Sequence, residues 1–227
     1  MNVTSSYTLR DKLSVCQVDG HLVFLDIDED RYFRLPQSLE EAFNELLSRG
    51  QSGSSEVSGL LHHRIIVPAQ DGQILKLSSA VQGPNRSSLE RASSRPTTRV
   101  PTVIEVGALT YSTKWQLKKR RLRDILDALS PCEATTPAFA AESGSEARVV
   151  ESAEQFRRAR RYVPVEPVCL LDSISMVRFL AKRGLRANIV FGITYDPFSA
   201  HCWVQAGDLA LNDTVGNTAV YTPIRRV

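Results

Sequence analysis

Apolar positions in the first third of the chain come in short runs divided by polar pairs. Leu13 to Val18 is followed by Asp19-Gly20, Leu22 to Ile27 by Asp28-Glu29-Asp30, and Arg31 to Leu35 by Pro36. Runs of this length bounded by turn residues predict three strands in hairpin succession. The period then changes. Leu39, Ala42, Phe43, Leu46 and Leu47 fall on one face at helical spacing, with Ser38 as the expected N-cap and Glu41 three residues on. A second short helix is expected from Ser55 to His63, and Ile65–Val67 and Ile74–Leu77 read as closing strands.

From Gly83 to Pro101 the chain is polar and turn-rich, as in Gly83-Pro-Asn-Arg-Ser-Ser88 and Ser93-Ser-Arg-Pro-Thr-Thr98. This predicts a linker. The expected organisation is a first domain over 1–82, a linker over 83–101 and a second domain over 102–227. In the second domain a helix is expected at about Ser112 to Leu129, with Trp115, Leu122, Ile125, Leu126 and Leu129 as its inward stripe. A loop is expected over 131–147 and a helix over Glu151–Tyr162. A further helix runs from Cys169 to its stop at Gly184. Strands are expected at 187–194, 200–206, 209–213 and 219–222.

Composition narrows the function classes. The chain has 227 residues, 42% of them hydrophobic, and a net charge of +3. No apolar run approaches the ~20 residues of a membrane helix, so no membrane partner is expected. The small charge does not supply the concentrated basic face that nucleic acid requires. The N-terminus has no basic region followed by an apolar core, so no secretory signal is read there. The four cysteines, Cys16, Cys132, Cys169 and Cys202, form no CxxC pair and no zinc spacing. The expectation is a cytoplasmic protein with reduced thiols and no metal site.

Three of the remaining residues carry chemistry. Cys169 opens an apolar helical stretch behind Pro164 and Pro167, His201 starts the alternating run His201-Cys-Trp-Val-Gln205, and Asp213 ends Leu209-Ala-Leu-Asn-Asp213. A helix N-terminus offers unpaired N–H groups and a positive dipole end, both of which stabilise a thiolate. His201 would take the thiol proton and return it to a leaving amine, and Asp213 would orient the imidazole. Strand alternation puts His201, Trp203 and Gln205 on one face, so Cys202 is expected to point away from the thiol. Taken singly, each residue has a plainer role: a core cysteine, a hydrogen-bonded histidine, a turn aspartate. The order Cys, His, Asp on helix, strand and strand favours a cysteine peptidase over three separate structural roles.

The segments Cys169-Leu-Leu-Asp-Ser-Ile174, Gly192-Ile193, Phe198-Ser-Ala-His-Cys-Trp-Val-Gln205 and Leu211-Asn-Asp213 resemble the transglutaminase-like leader peptidases of lasso peptide biosynthesis. Cys202 stands where that family usually has Ala, and Gln205 where it usually has Glu. The resemblance runs from about Trp115 to the C-terminus. It implies a transglutaminase/papain-like α+β peptidase with Cys169, His201 and Asp213 as its triad. A second resemblance covers Asp19-Gly-His-Leu-Val-Phe-Leu-Asp26 and Asp30-Arg-Tyr-Phe-Arg-Leu35, which are similar to precursor-recognition elements of the PqqD-like kind. It implies a small winged-helix-like domain of a three-stranded sheet and helices that takes the leader peptide as an added strand beside its third. Asp26, Arg31, Tyr32, Phe33, Arg34 and Leu35 are then the expected leader-binding residues.

The implied partners are a lasso precursor peptide and an asparagine-synthetase-like cyclase that closes a macrolactam. Some family members depend on ATP, and the arginines at 157, 158, 160 and 161 or the basic run 118–123 are where a nucleotide would be sought. No Gly-rich phosphate loop is present, so neither an ATP site nor any other cofactor is expected. Two rival readings share these residues. One is an acyl transferase, in which an amine rather than water captures the acyl-enzyme. The other is a non-catalytic chaperone that only presents the precursor.

Overall fold

Asp19 and Gly20 both take positive φ, 49° and 81°, the backbone a two-residue hairpin turn requires. Val18 and His21 pair across them. The computed structural model in which this is seen describes residues 7–49, 54–69, 75, 77, 81–90, 98–129 and 143–227. The chain divides into two compact units, Met1–Ala80 and Val81–Val227.

The first unit contains β1 (Tyr7–Leu9), β2 (Leu13–Val18), β3 (His21–Asp26), β4 (Arg31–Phe33), α1 (Gln37–Arg49), α2 (Ser54–His62) and β5 (Ile66–Pro68). The three expected strands form an antiparallel sheet in the order β2-β3-β4, which leaves β4 at an edge. Val15 pairs with Phe24 and Phe24 with Phe33, and both Val15 and Phe24 are buried in a core with Phe43, Leu46, Leu60 and Ile66. Phe24 stacks on Phe33 and meets Phe43 edge-on, at 5.2 and 5.4 Å between centroids. β1 was not foreseen. It pairs only with β5, across some sixty residues, a contact that no local pattern signals. Helix α1 begins at Gln37, so Ser38 lies inside it rather than capping it. Of the strand expected at 74–77, residues 74 and 76 lie outside the described residues.

The second unit contains β6 (Arg86–Ser87), α3 (Val100–Lys119), α4 (Leu122–Asp127), α5 (Ser143–Arg160), α6 (Cys169–Ala181), β7 (Asn188–Thr194), β8 (Ser199–Ala206), β9 (Leu209–Ala210), α7 (Val215–Thr218) and β10 (Thr222–Arg226). Its sheet has the order β10-β7-β8-β9-β6, antiparallel except for the last pair. Helix α6 packs against β8 and β7, and against α3 and α5. This burial explains its composition: Leu171, Ile174, Met176, Phe179 and Leu180 are all within the core. Phe156 of α5 meets Phe179 of α6 edge-on at 5.5 Å.

Four expectations are corrected in this unit. The stretch read as a linker contributes β6 to the sheet, and α3 starts at Val100 with Pro101 in its first turn, a position that needs no N–H donor. The helix expected from 112 to 129 is two helices, broken at Arg120 and Arg121, which are both extended. Because of the break, the buried faces of the two pieces are not in phase. Leu122, Ile125 and Leu126 are buried as expected, whereas Trp115 is 58% exposed and Val106, Thr110 and Thr113 face inward. Helix α5 begins at Ser143, inside the expected loop, along the stripe Val149, Ala153, Phe156 and Ala159. Residues 219–221 are not strand: Thr214 caps α7 by accepting from the Asn217 N–H, and β10 starts only at Thr222. Among the described residues no helix is long and apolar enough to cross a membrane.

Candidate active site

Cys169 is the first residue of α6. Val168 before it is extended, and no side chain caps the helix. The first-turn N–H groups therefore point at the cleft with the positive end of the helix dipole behind them. The approach to this turn is held by one guanidinium. Arg160, at the end of α5 and 8% exposed, bonds the carbonyl oxygens of Val163, Val165 and Glu166 and pairs with Asp172 at 2.7 Å. Asp172 lies on the first turn of α6, so the Arg160 bonds tie the extended segment to the helix that carries the thiol.

His201 is paired with Gly192 of β7 in the sheet. A Cβ at Gly192 would stand 2.9 Å from atoms of both Trp203 and Tyr221. Glycine is needed there because these two side chains close over the strand, and both rings pack beside His201, at 6.2 and 5.1 Å between centroids. The imidazole Nε2 lies 2.5 Å from Asp213 Oδ2. That leaves Nδ1 for the thiol. Asp213 is not on a strand, as expected, but on the loop between β9 and α7. The ladder stops because the Asn212 side chain replaces backbone in it: Asn212 Oδ1 accepts the Val204 N–H at 2.7 Å, and its Nδ2 donates to Ser173 Oγ at 3.1 Å. The Asp213 carboxylate also accepts from the Thr214 N–H and from Asn217 Nδ2.

Cys169, His201 and Asp213 thus meet in one cleft of about 270 Å³, lined also by Phe156, Arg157, Val168, Asp172, Cys202 and Asn212. Their ionisation is coupled. Hydrogen bonds from Cys202 and from His201 outweigh burial and lower the Cys169 thiol to about 4. Hydrogen bonds to Asp213 and to Cys169 raise His201 to about 9. Burial pushes the Asp213 carboxyl upward, but its bonds to His201, Asn217 and Thr214 prevail and hold it low. Between those limits the pair rests as thiolate and imidazolium, the form in which sulfur is nucleophilic and the imidazole already holds a proton to give.

Cys202 does not point away from the thiol. It is buried and bonds Cys169 through both its side chain and its backbone N–H, and its Sγ lies 3.9 Å from Ser173 Oγ. The alternation along β8 is as read from the sequence. The face opposite His201, however, carries α6, whose first residue is Cys169, so both faces converge on the same sulfur. Three of the four arginines near this segment are engaged within the fold. Arg157 bonds Ser88 Oγ and the Leu211 carbonyl, Arg158 pairs with Glu154, and Arg160 is committed as described. Among the described residues no group of side chains is arranged to hold a metal ion.

A model of the transglutaminase-like superfamily matches residues 108–226, just over half of the sequence. The chain belongs to the transglutaminase-like superfamily. This transglutaminase-like chain is also 38% identical over 45 residues to the microcin J25-processing protein McjB of Escherichia coli. That match spans 20% of the chain and 22% of McjB, about a fifth of the relative's length. No solved structure matches the chain.

In the first unit the expected leader-binding residues divide. Asp26 is 2% exposed, paired with Arg10 at 2.5 Å and accepting the N–H groups of Asp28 and Glu29. Leu35 is in the core. Both side chains serve the fold. Arg31, Tyr32 and Phe33 form the edge strand β4, with the Arg31 guanidinium 5.2 Å above the Phe33 ring. Arg34 follows, 3.0 Å from His21 Nδ1 and 3.7 Å from Glu40.

Proposed function

We propose that the chain is a cysteine peptidase that removes the leader from a ribosomally made lasso peptide precursor. The observation that carries this is the Cys169–His201–Asp213 arrangement at an uncapped helix N-terminus, in a chain with a stretch similar to a microcin-processing protein. The Cys169 thiolate attacks the carbonyl carbon of the scissile bond, and first-turn N–H groups of α6 receive the oxyanion. His201 gives its proton to the leaving amine, which departs as the new N-terminus of the core peptide. Water, deprotonated by His201, then hydrolyses the thioester and frees the leader. Asp213 holds the imidazolium throughout.

The first unit binds the leader as a strand beside β4, with Arg31, Tyr32, Phe33 and Arg34 selecting it. The position of β4 as the last strand of the β2-β3-β4 sheet among the described residues supports this. Carrying both units on one chain raises the effective concentration of the cleavage site. A cyclase then joins the freed amine to a side-chain carboxylate.

The test is mass spectrometry of a synthetic precursor incubated with the full chain or Cys169→Ala, with and without the cyclase, in ¹⁸O-water. Leader release by the wild type alone, with ¹⁸O in the leader carboxylate, is the expected result. Transfer to an amine without ¹⁸O would replace the peptidase with an acyl transferase. Tight leader binding with no cleavage under any condition would leave only a presenting role.

A further inference from the structure

We infer that Arg86–Glu90, the segment at the start of the second unit, is a strap that positions the acid of the triad, with Ser87 as its principal positioning residue. The inference rests on the triad reading and not on the identity of the substrate.

The strap runs alongside 208–215 and grips it at successive points. The N–H groups of Asn85 and Arg86 donate to the Asp208 carbonyl, and the Ser88 N–H to the Ala210 carbonyl. The Arg86 guanidinium grips the Asp208 carboxylate and reaches Glu146 of α5. Backbone bonds and an ion pair of this kind would suffice to cover the edge of a sheet. Two hydroxyls go further. Ser87 Oγ donates to the Asp213 carbonyl at 2.6 Å while accepting the Leu89 N–H. Ser88 Oγ donates to the Leu211 carbonyl at 3.1 Å and accepts from Arg157. Both serines are buried, at 3% and 5% exposure. Glu90 completes the series by accepting the Val215 N–H at 3.1 Å.

Residues 211, 213 and 215 are therefore each held from the strap, on both sides of the carboxylate that must meet His201. The β8–β9 register ends at Ala210 and one further backbone bond, from the Leu211 N–H to the Val204 carbonyl, follows it, so residues 212–215 lack the support of a strand just where the triad needs it fixed. A loop carrying a functional carboxylate has to be held within roughly 0.5 Å by its supporting shell. The strap supplies that support from outside the part of the chain that matches the family, 108–226, with Arg157 added from within it.

The experiment is an NMR titration of the full chain with labelled histidine, the His201 signal being assigned by its loss in His201→Asn. The wild-type inflection is expected near 9. Ser87→Ala is expected to lower it by about one unit, since a displaced carboxylate stabilises imidazolium less. Ser87→Thr, which keeps the hydroxyl, should restore it. Glu90→Ala, at an exposed position where folding is not at risk, should lower it by less. In an Asp213→Ala background neither change should matter, because the strap acts only through that residue. A raised wild-type inflection that Ser87→Ala and Glu90→Ala leave in place overturns the strap alone. An equal shift with and without Asp213 also overturns it. An ordinary wild-type inflection, near 6.5, overturns the triad geometry and the strap with it.

Discussion

His201 Nε2 and Asp213 Oδ2 stand 2.5 Å apart, and that bond fixes which face of the imidazole meets Cys169. With Nε2 engaged, Nδ1 is the atom left for the sulfur. The proton between sulfur and nitrogen then settles on nitrogen, because Asp213 stabilises the imidazolium while the helix N-terminus and Cys202 stabilise the thiolate.

The first consequence is a pH profile. Cys169 titrates at about 4, well below an ordinary thiol, and His201 at about 9, above an ordinary imidazole. Below the lower value the sulfur is protonated and inert. Above the upper one the imidazole has lost the proton that the proposed cleavage would give to the leaving amine. Activity should be bell-shaped between these limits, and alkylation of Cys169 by iodoacetamide should rise through the lower one. Alkylation that rises only near pH 8 to 9 would show an unactivated thiol.

Removing the acid should cost activity without removing the thiol. Asp213→Ala leaves the imidazolium without its partner, so His201 should titrate lower and the alkaline limb should move toward neutrality. A loss of about 10²–10⁴-fold in kcat/KM is expected, by comparison with other catalytic triads. Steady-state kinetics against pH check both effects together, and a change in KM alone would contradict them.

Cys202 offers a more selective test. Its side chain and its backbone N–H both support the thiolate, and substitution removes only the first. Cys202→Ala should therefore raise the lower inflection of alkylation by about one unit and leave the fold intact. An unchanged inflection would assign the stabilisation to His201, the backbone N–H and the helix.

The Arg160 clamp should matter to stability. Arg160→Ala would leave the carbonyls of Val163, Val165 and Glu166 and the Asp172 carboxylate without their donor. Breaking one side of a buried ion pair costs about 3–5 kcal/mol, measurable by urea denaturation. Asp172→Asn keeps a neutral acceptor and should cost less.

Gly192→Ala tests the wall behind the histidine. The added methyl would press on Trp203 and on the Tyr221 Cβ at 2.9 Å. Overpacking of this kind costs about 1–3 kcal/mol, and because both rings flank His201 the loss in melting temperature should be accompanied by a loss of activity. A variant that melts as the wild type does would show that the wall can give way.

Much of this protein was determined by its sequence alone. Three strands after Leu13, a helix carrying Phe43, and the helix opened by Cys169 follow from local periodicity and turn chemistry, which act over a few residues and leave a direct trace. The three residues of the site were legible for the same reason, as a helix start, one strand and the end of the next in order along the chain. Only the tertiary structure decided the rest. The β1–β5 pairing and the parallel β6–β9 contact join segments more than fifty residues apart, and strands of two or three residues are too short to show a period. The outward turn of Trp115 follows from a helix break that resets the phase of the apolar face. The inward turn of Cys202 depends on which element covers the second face of β8. Asp213 left its expected strand because one side chain, Asn212, took over the hydrogen bond that the ladder would have made. In each case the deciding partner lies outside the local pattern, where burial and hydrogen-bond satisfaction outweigh local preference.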